Sequence, residues 1–231
     1  MLRGRRVLRR CHANLGANDR AVTDFVEVAR LDRKLLTLTS EPEWLPSLFA
    51  YAEKILKESN MDAFDRGADA ADQGELDLAI ACFSAAVRVN PKDTQAYYNR
   101  AVCYWRTRKL DQALADLDEA IGLMPNHARS HGIRGAIHLE KAEDKQAIAE
   151  LTEALRHDPK LVEAYGWRGA AYAIQGQHGL AIADFSEAIR LDPGKPAGYV
   201  GRARVYRAIG NERQARLDEE KARELSRSAK P

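Results

Sequence analysis

Arginine recurs at positions 66, 100, 134, 168 and 202, one every 34 residues. Sixteen residues after four of these stands an acid: Asp116, Glu150, Asp184 and Asp218. Cys82 takes that place after Arg66. An arginine in fixed register with a carboxylate can do two kinds of chemistry. Its planar fork can grip the acid bidentately, as a structural ion pair between packed helices. Alternatively, a row of guanidinium groups turned outward makes an anion-binding stripe. Strict repetition favours the first reading, a ladder of Arg100, Arg134, Arg168 and Arg202 with Asp116, Glu150, Asp184 and Asp218. Repeated units mostly spend such residues on their neighbours. Spacing alone leaves open whether each arginine reaches the acid of its own unit or of the preceding one.

Other reactive residues form no constellation. His127 and His131 are four apart but lack a third ligand, so His131 and His138 read as packing residues and no metal is expected. The pair Asp65/Asp69 reads as a solvated face rather than an acid–base dyad. GxxxxGK[ST], GxSxG, HExxH and a GxGxxG after a strand do not occur. The expectation is a protein without catalysis, cofactor or small-molecule substrate. Three cysteines, with no CxxC spacing, suit reduced thiols in a cytoplasmic protein. The 36 basic and 34 acidic residues leave a net charge of +2, too balanced to imply nucleic acid as the main partner. The longest apolar run, Leu78 to Phe83, is too short to cross a membrane. The basic start, with Arg3, Arg5, Arg6, Arg9 and Arg10, runs into CHANLGANDR, which argues against a cleaved signal peptide.

The elements that must position the arginines follow from the same period. Ala-x-x-x-(Phe/Leu)-x-x-Ala occurs at Ala79/Phe83/Ala86, Ala113/Leu117/Ala120, Ala147/Leu151/Ala154 and Ala181/Phe185/Ala188. Ala215 and Ala222 continue the step, and Pro91, Pro125, Pro159 and Pro193 close four units in phase. With that proline at position 32, position 8 is Gly67, Ala101, Gly135, Gly169 and Ala203. Position 4 is Ala63, Tyr97, His131, Tyr165 and Tyr199. Position 11 is Ala70, Tyr104, His138, Tyr172 and Tyr206. Offsets of 4, 8 and 11, then 20, 24 and 27, are helical. Gly74, Gly176 and Gly210 mark a turn at position 15. Each unit is therefore expected to be two antiparallel helices.

These positions resemble the tetratricopeptide repeat family over residues 60 to about 227. The resemblance implies an all-α fold: a right-handed α-solenoid of antiparallel helix pairs, with units 60–93, 94–127, 128–161, 162–195 and 196–229. Arginine at position 7, commonly leucine in the family, is a departure. The polar last helix, with Glu219 at position 24, suits a terminal unit with no successor. Residues 2–33 fit a degenerate first repeat, since AVTDFVEVARLDR (21–33) echoes AIADFSEAIRLDP (181–193). Leu45, Leu48, Phe49, Ala52, Ile55 and Leu56 share a face, so an additional helix is expected over about 43–58, within an N-terminal segment 2–59.

The resemblance further implies a concave groove lined by each unit's first helix, and with it an adaptor or scaffold that binds a peptide or partner domain. Carried onto this sequence, the groove positions are Phe64, Tyr98, Asn99, Val102, Trp105, Arg106, Arg129, Ile133, Ala136, Leu139, Trp167, Ala170, Ile174, Val200, Arg204 and Arg207. Trp105 and Trp167 are the natural anchors. They would equally serve to pack helix on helix. One subclass grips chaperone-tail carboxylates. Its clamp positions here hold Phe64, Ala68, Asn99, Arg129 and Ile133, of which only Asn99 and Arg129 suit that ligand. The competing class is an accessory factor of membranes or nucleic acid that uses the arginine-rich N-terminus. A regulatory or targeting subunit of a separate enzyme is indistinguishable from the scaffold reading. The unit at 60–93 has net charge −4 and the segment 196–227 net +3, an asymmetry that admits end-to-end association without requiring it.

Overall fold

The structure, a computed structural model, describes residues 63–228. The degenerate repeat at 2–33 and the additional helix at 43–58 lie outside the described residues. Among those described, all regular structure is helical. The residues fall into two compact units, the first ending at Val89 and the second running from Asn90.

The first unit contains one helix pair, α1 (Ala63–Asp72) and α2 (Leu76–Val89). The second contains four. These are α3 (Thr94–Arg106) with α4 (Leu110–Leu123), α5 (Ala128–Glu140) with α6 (Asp144–His157), α7 (Val162–Ile174) with α8 (His178–Leu191), and α9 (Pro196–Ala208) with α10 (Glu212–Ser228).

Each first helix ends in the same way. The N–H at position 16 donates to the carbonyl at position 11, as in Lys109 to Tyr104 (2.8 Å) and Gln177 to Tyr172 (2.8 Å). This closure requires a left-handed residue just before it. Gly74, Gly176 and Gly210 supply φ of 80°, 73° and 77°. Arg108 and Ala142 make the same turn at 63° and 58°, where a Cβ is unfavourable. At the other end, Asp93 caps α3, its Oδ1 accepting from the Gln95 and Ala96 amides at 3.0 Å. Pro196 fits the first turn of α9, where no amide is needed.

Within a pair, the small residue at position 8 admits the large one at position 24. A Cβ on Gly135 would lie 2.6 Å from Leu151 Cγ, and one on Gly67 2.7 Å from Phe83 Cε1. Leu117 and Leu151 are fully buried, each stabilising by roughly 2 kcal/mol.

Between pairs of the second unit, one arrangement recurs. The first helix of a pair settles between the two helices of the pair before it. Ile133 and Ile137 of α5 meet Leu117, with Val102 and Trp105 beside them. Ala164 and Ala171 of α7 meet Leu151, Ala154 and Leu155, with Leu139 beside them. Val205 of α9 meets Phe185, with Ala170 and Ala173 beside them. Gly198 and Gly201 of α9 let it approach so closely that a Cβ at 201 would lie 2.3 Å from Phe185 Cε1.

Candidate functional site

The arginines of the second unit hold the helices together. Arg100 donates from Nε and Nη2 to Asp116 Oδ2 and Oδ1, both at 2.7 Å. Arg168 grips Asp184, and Arg202 grips Asp218, through the same four atoms at 2.8 Å. Each arginine thus pairs within its own unit. The remaining Nη1 reaches back to the preceding pair: Arg168 to Thr152 Oγ1 at 3.2 Å, Arg202 to Ser186 Oγ at 2.9 Å, Arg134 to Asp118 Oδ1 at 2.7 Å. The guanidinium groups also lie over tyrosine rings of their own helix. Arg168 is 5.7 and 5.8 Å from the Tyr165 and Tyr172 centroids, and Arg202 is 6.0 and 5.9 Å from Tyr199 and Tyr206. Asp184 holds Arg168 even more firmly protonated than a free guanidinium.

The pair α5/α6 solves the same problem with different residues. Arg134 gives only Nη2 to Glu150, at 2.8 Å to both oxygens, and its buried Nε has no hydrogen-bond partner. Glu150 is longer than aspartate and also takes His131, whose Nδ1 lies 2.8 Å from Oε2. His131 Nε2 lies 3.0 Å from the Pro125 carbonyl oxygen. Both ring nitrogens therefore face acceptors, which only imidazolium satisfies. The Glu150 hydrogen bond accordingly raises the pKa of His131. Burial works against the charge of Glu150, but His131 and Arg134 together lower its pKa.

The candidate groove residues divide by exposure. Ile133 is buried at 8% and belongs to the core shared with Ile137 and Leu117, and Ala136 is buried too. Tyr98, Asn99, Val102, Trp105, Leu139, Trp167 and Ala170 are half-buried. Arg106, Arg129, Ile174, Val200, Arg204 and Arg207 are exposed. In the first unit Phe64 is half-buried and packs edge-on against Phe83, with centroids 5.6 Å apart. Trp105 and Trp167 meet edge to face at 5.9 Å, although they sit on α3 and α7. Trp105 Nε1 donates to Glu140 Oε1 at 2.7 Å, and Arg108 pairs with the same carboxylate. The structure thus joins the two tryptophans that the sequence placed 62 residues apart.

Sequence reasoning passed over two features. One is the His131–Glu150 contact, whose signal was Tyr-to-His at position 4 together with Asp-to-Glu at position 23. The other is the backward reach of the arginines, signalled by polar residues Asp118, Thr152 and Ser186 at one phase. Among the described residues, no group of three His, Cys, Asp or Glu could hold a metal ion, and no helix is long and apolar enough to cross a membrane. Burial raises the pKa of the Cys103 thiol, which is 1% exposed and therefore a poor nucleophile.

Successive antiparallel helix pairs, each seated on the last within the second unit, define an all-α solenoid of repeats. Family models for the tetratricopeptide repeat match residues 64–130 and 162–195. Solved structures share the fold. One of MamA is 22% identical, covering 70% of this chain and 95% of its own, with a TM-score of 0.61. MamA from Desulfovibrio magneticus RS-1 is 21% identical, covering 71% and 93%, at 0.63. A thermophilic TPR protein of Thermus thermophilus is 22% identical, covering 72% and 91%, at 0.62. No curated protein matches the chain. This chain is a tetratricopeptide-repeat protein, and in that general sense a protein-interaction scaffold.

Proposed function

We propose that the chain is a non-enzymatic adaptor that binds a peptide or partner domain along the first helices of its second unit. The observation that carries this reading is the half-exposed aromatic strip made by Tyr98, Trp105 and Trp167. Rigid aromatics of this kind offer contact area at low entropic cost. Asn99 of α3 and Arg129 of α5 supply polar contacts, while Ile174 of α7 extends the apolar surface. An extended segment or a helix with apolar side chains suits such a strip.

The test is capture of the partner from the protein's own cell, followed by hydrogen exchange on the purified complex. Protection confined to α3, α5 and α7, lost together with the partner in a Trp105→Ala/Trp167→Ala variant that keeps its helicity, supports the assignment. Unchanged partner recovery by that variant refutes it.

A further inference from the structure

The seat that receives the next helix is built in every pair of the second unit, and in the last pair nothing among the described residues fills it. The period locates it. Gly166, Ala170 and Ala173 of α7, with Phe185, Ala188 and Ile189 of α8, stand 34 residues before Val200, Arg204, Arg207, Glu219, Ala222 and Arg223. The first set is small or apolar, and α9 is seated there, with Ala170, Ala173 and Phe185 around Val205 and Ile189 against Gly198. The second set lines an open cleft of about 490 Å³ between α9 and α10. Its floor remains apolar, with Val200 and buried Ala222. Its walls have become arginine.

Four guanidinium groups border the cleft: Arg204, Arg207, Arg223 and Arg227. Glu219 is the one acid in the lining, and it is shared by Arg207 at 2.5 Å and Arg223 at 3.7 Å. Among the described residues Arg204 and Arg227 form no ion pair, whereas Arg100, Arg168 and Arg202 each grip a carboxylate in bidentate fashion. The cleft thus combines the shape of a helix seat with a net charge of +3 and fork donors in want of carboxylates.

We propose that this end cleft docks an acidic amphipathic helix of a protein partner, in the place that another first helix would occupy. Its apolar stripe meets Val200 and Ala222, and its glutamates or aspartates pair with Arg204, Arg223 and Arg227. The proposal rests on the reading of the chain as an interaction module, but concerns a different place on it.

The probe is a fluorescein-labelled amphipathic peptide with leucines at i, i+3/i+4 and i+7 and glutamates beside them. A matched peptide carries lysines instead. Fluorescence anisotropy with the full chain should show binding of the acidic peptide and none of the basic one, weakening as salt rises. Arg204→Glu/Arg223→Glu, both on exposed positions, should weaken binding about tenfold or more. Arg204→Lys/Arg223→Lys should recover only part, because lysine lacks the fork. Trp105→Ala/Trp167→Ala should leave this affinity unchanged, which separates failure here from failure of the aromatic strip. The proposal is overturned if the acidic peptide does not bind at about 1 mM. It is equally overturned if the glutamate variant binds as the wild type does, or if only RNA or anionic vesicles bind in an Arg204- and Arg223-dependent way.

Discussion

The pairs α5/α6 and α7/α8 are neighbours with the same backbone plan and different internal chemistry. In α7/α8, Arg168 lies over two tyrosine rings and spends two nitrogens on a short acid that is 9% exposed. In α5/α6 the tyrosines are replaced by His131 and His138, the acid is Glu150, and Arg134 leaves its Nε without a partner. The turn differs too, with Ala142 where its neighbour has Gly176. One repeat plan therefore tolerates two solutions, and the comparison separates what the plan demands from what it permits. Throughout the second unit the plan keeps a cation in contact with an acid sixteen residues on. It permits that acid to be shared with a titratable ring.

The largest expected difference comes from removing the acids. Asp184→Ala strands a largely buried guanidinium and should cost about 3 kcal/mol in urea unfolding. Glu150→Ala should cost about half as much, roughly 1.5 kcal/mol, because Arg134 keeps Asp118 as an anionic partner. Equal losses would mean that the two rungs are energetically the same despite their geometry.

Converting one pair into the other comes next. The triple change His131→Tyr/His138→Tyr/Glu150→Asp copies the α7/α8 arrangement and gives the orphaned Nε a carboxylate oxygen. It should stabilise by about 1 kcal/mol. A loss on the same scale would show that the histidines fit their surroundings better than tyrosines can.

The pH dependence is smaller and has a definite sign. The raised pKa of His131 contributes stability that is fully present below about pH 6.5 and lost as pH rises through the folded value. The lowered pKa of Glu150 contributes stability present above about pH 4.5 and lost as pH falls through its own folded value. The groups facing His131 are Glu150 and His157 of α6, Arg134 on its own helix, and His127 just before it. His127 works oppositely, since burial and Arg129 lower its pKa and make it a cost as pH falls below 6.5. Comparison with His131→Tyr reads the His131 contribution together with its influence on Glu150 and His127. The wild type should gain on that variant between about pH 8 and pH 5.5, and parallel stability curves would sink the imidazolium assignment. No such gain is expected for variants of Tyr165 in the neighbouring pair.

The smallest effect belongs to the turns. Ala142→Gly should raise stability by about 0.5 kcal/mol, and Gly176→Ala should lower it by about 1 kcal/mol. Thermal unfolding resolves both.

The helix pairs were legible because burial imposes a strict period: Ala79, Ala113, Ala147 and Ala181 are fully buried, and each marks a place where helices touch. The turns were legible only where glycine made them, at 74, 176 and 210. Arg108 and Ala142 adopt the same φ under tertiary constraint, which no local preference reveals. Ion-pair spacing was legible and its direction was not, since sixteen residues forward and sixteen back are the same count around a repeat. The tryptophan contact was invisible because α3 and α7 are brought together by the packing of α5 between their pairs. Exposure was the least legible quantity. Ile133 and Ile174 occupy groove positions in successive units, yet one is 8% exposed, packed with Leu117 of the preceding pair, and the other 64%.

The arginine that reaches both ways has a thermodynamic consequence. Arg168 ties α7 to α8 and also to α6, and Arg202 ties α9 to α10 and also to α8. Such a residue stabilises its own pair through the bidentate grip on the acid, and its third nitrogen adds a smaller contribution to the coupling between adjacent pairs. In a nearest-neighbour chain that coupling decides whether the array melts as a single block or unzips from its end. The rungs therefore add to the cooperativity that apolar packing between pairs supplies, and cutting one in the middle should broaden the melting transition.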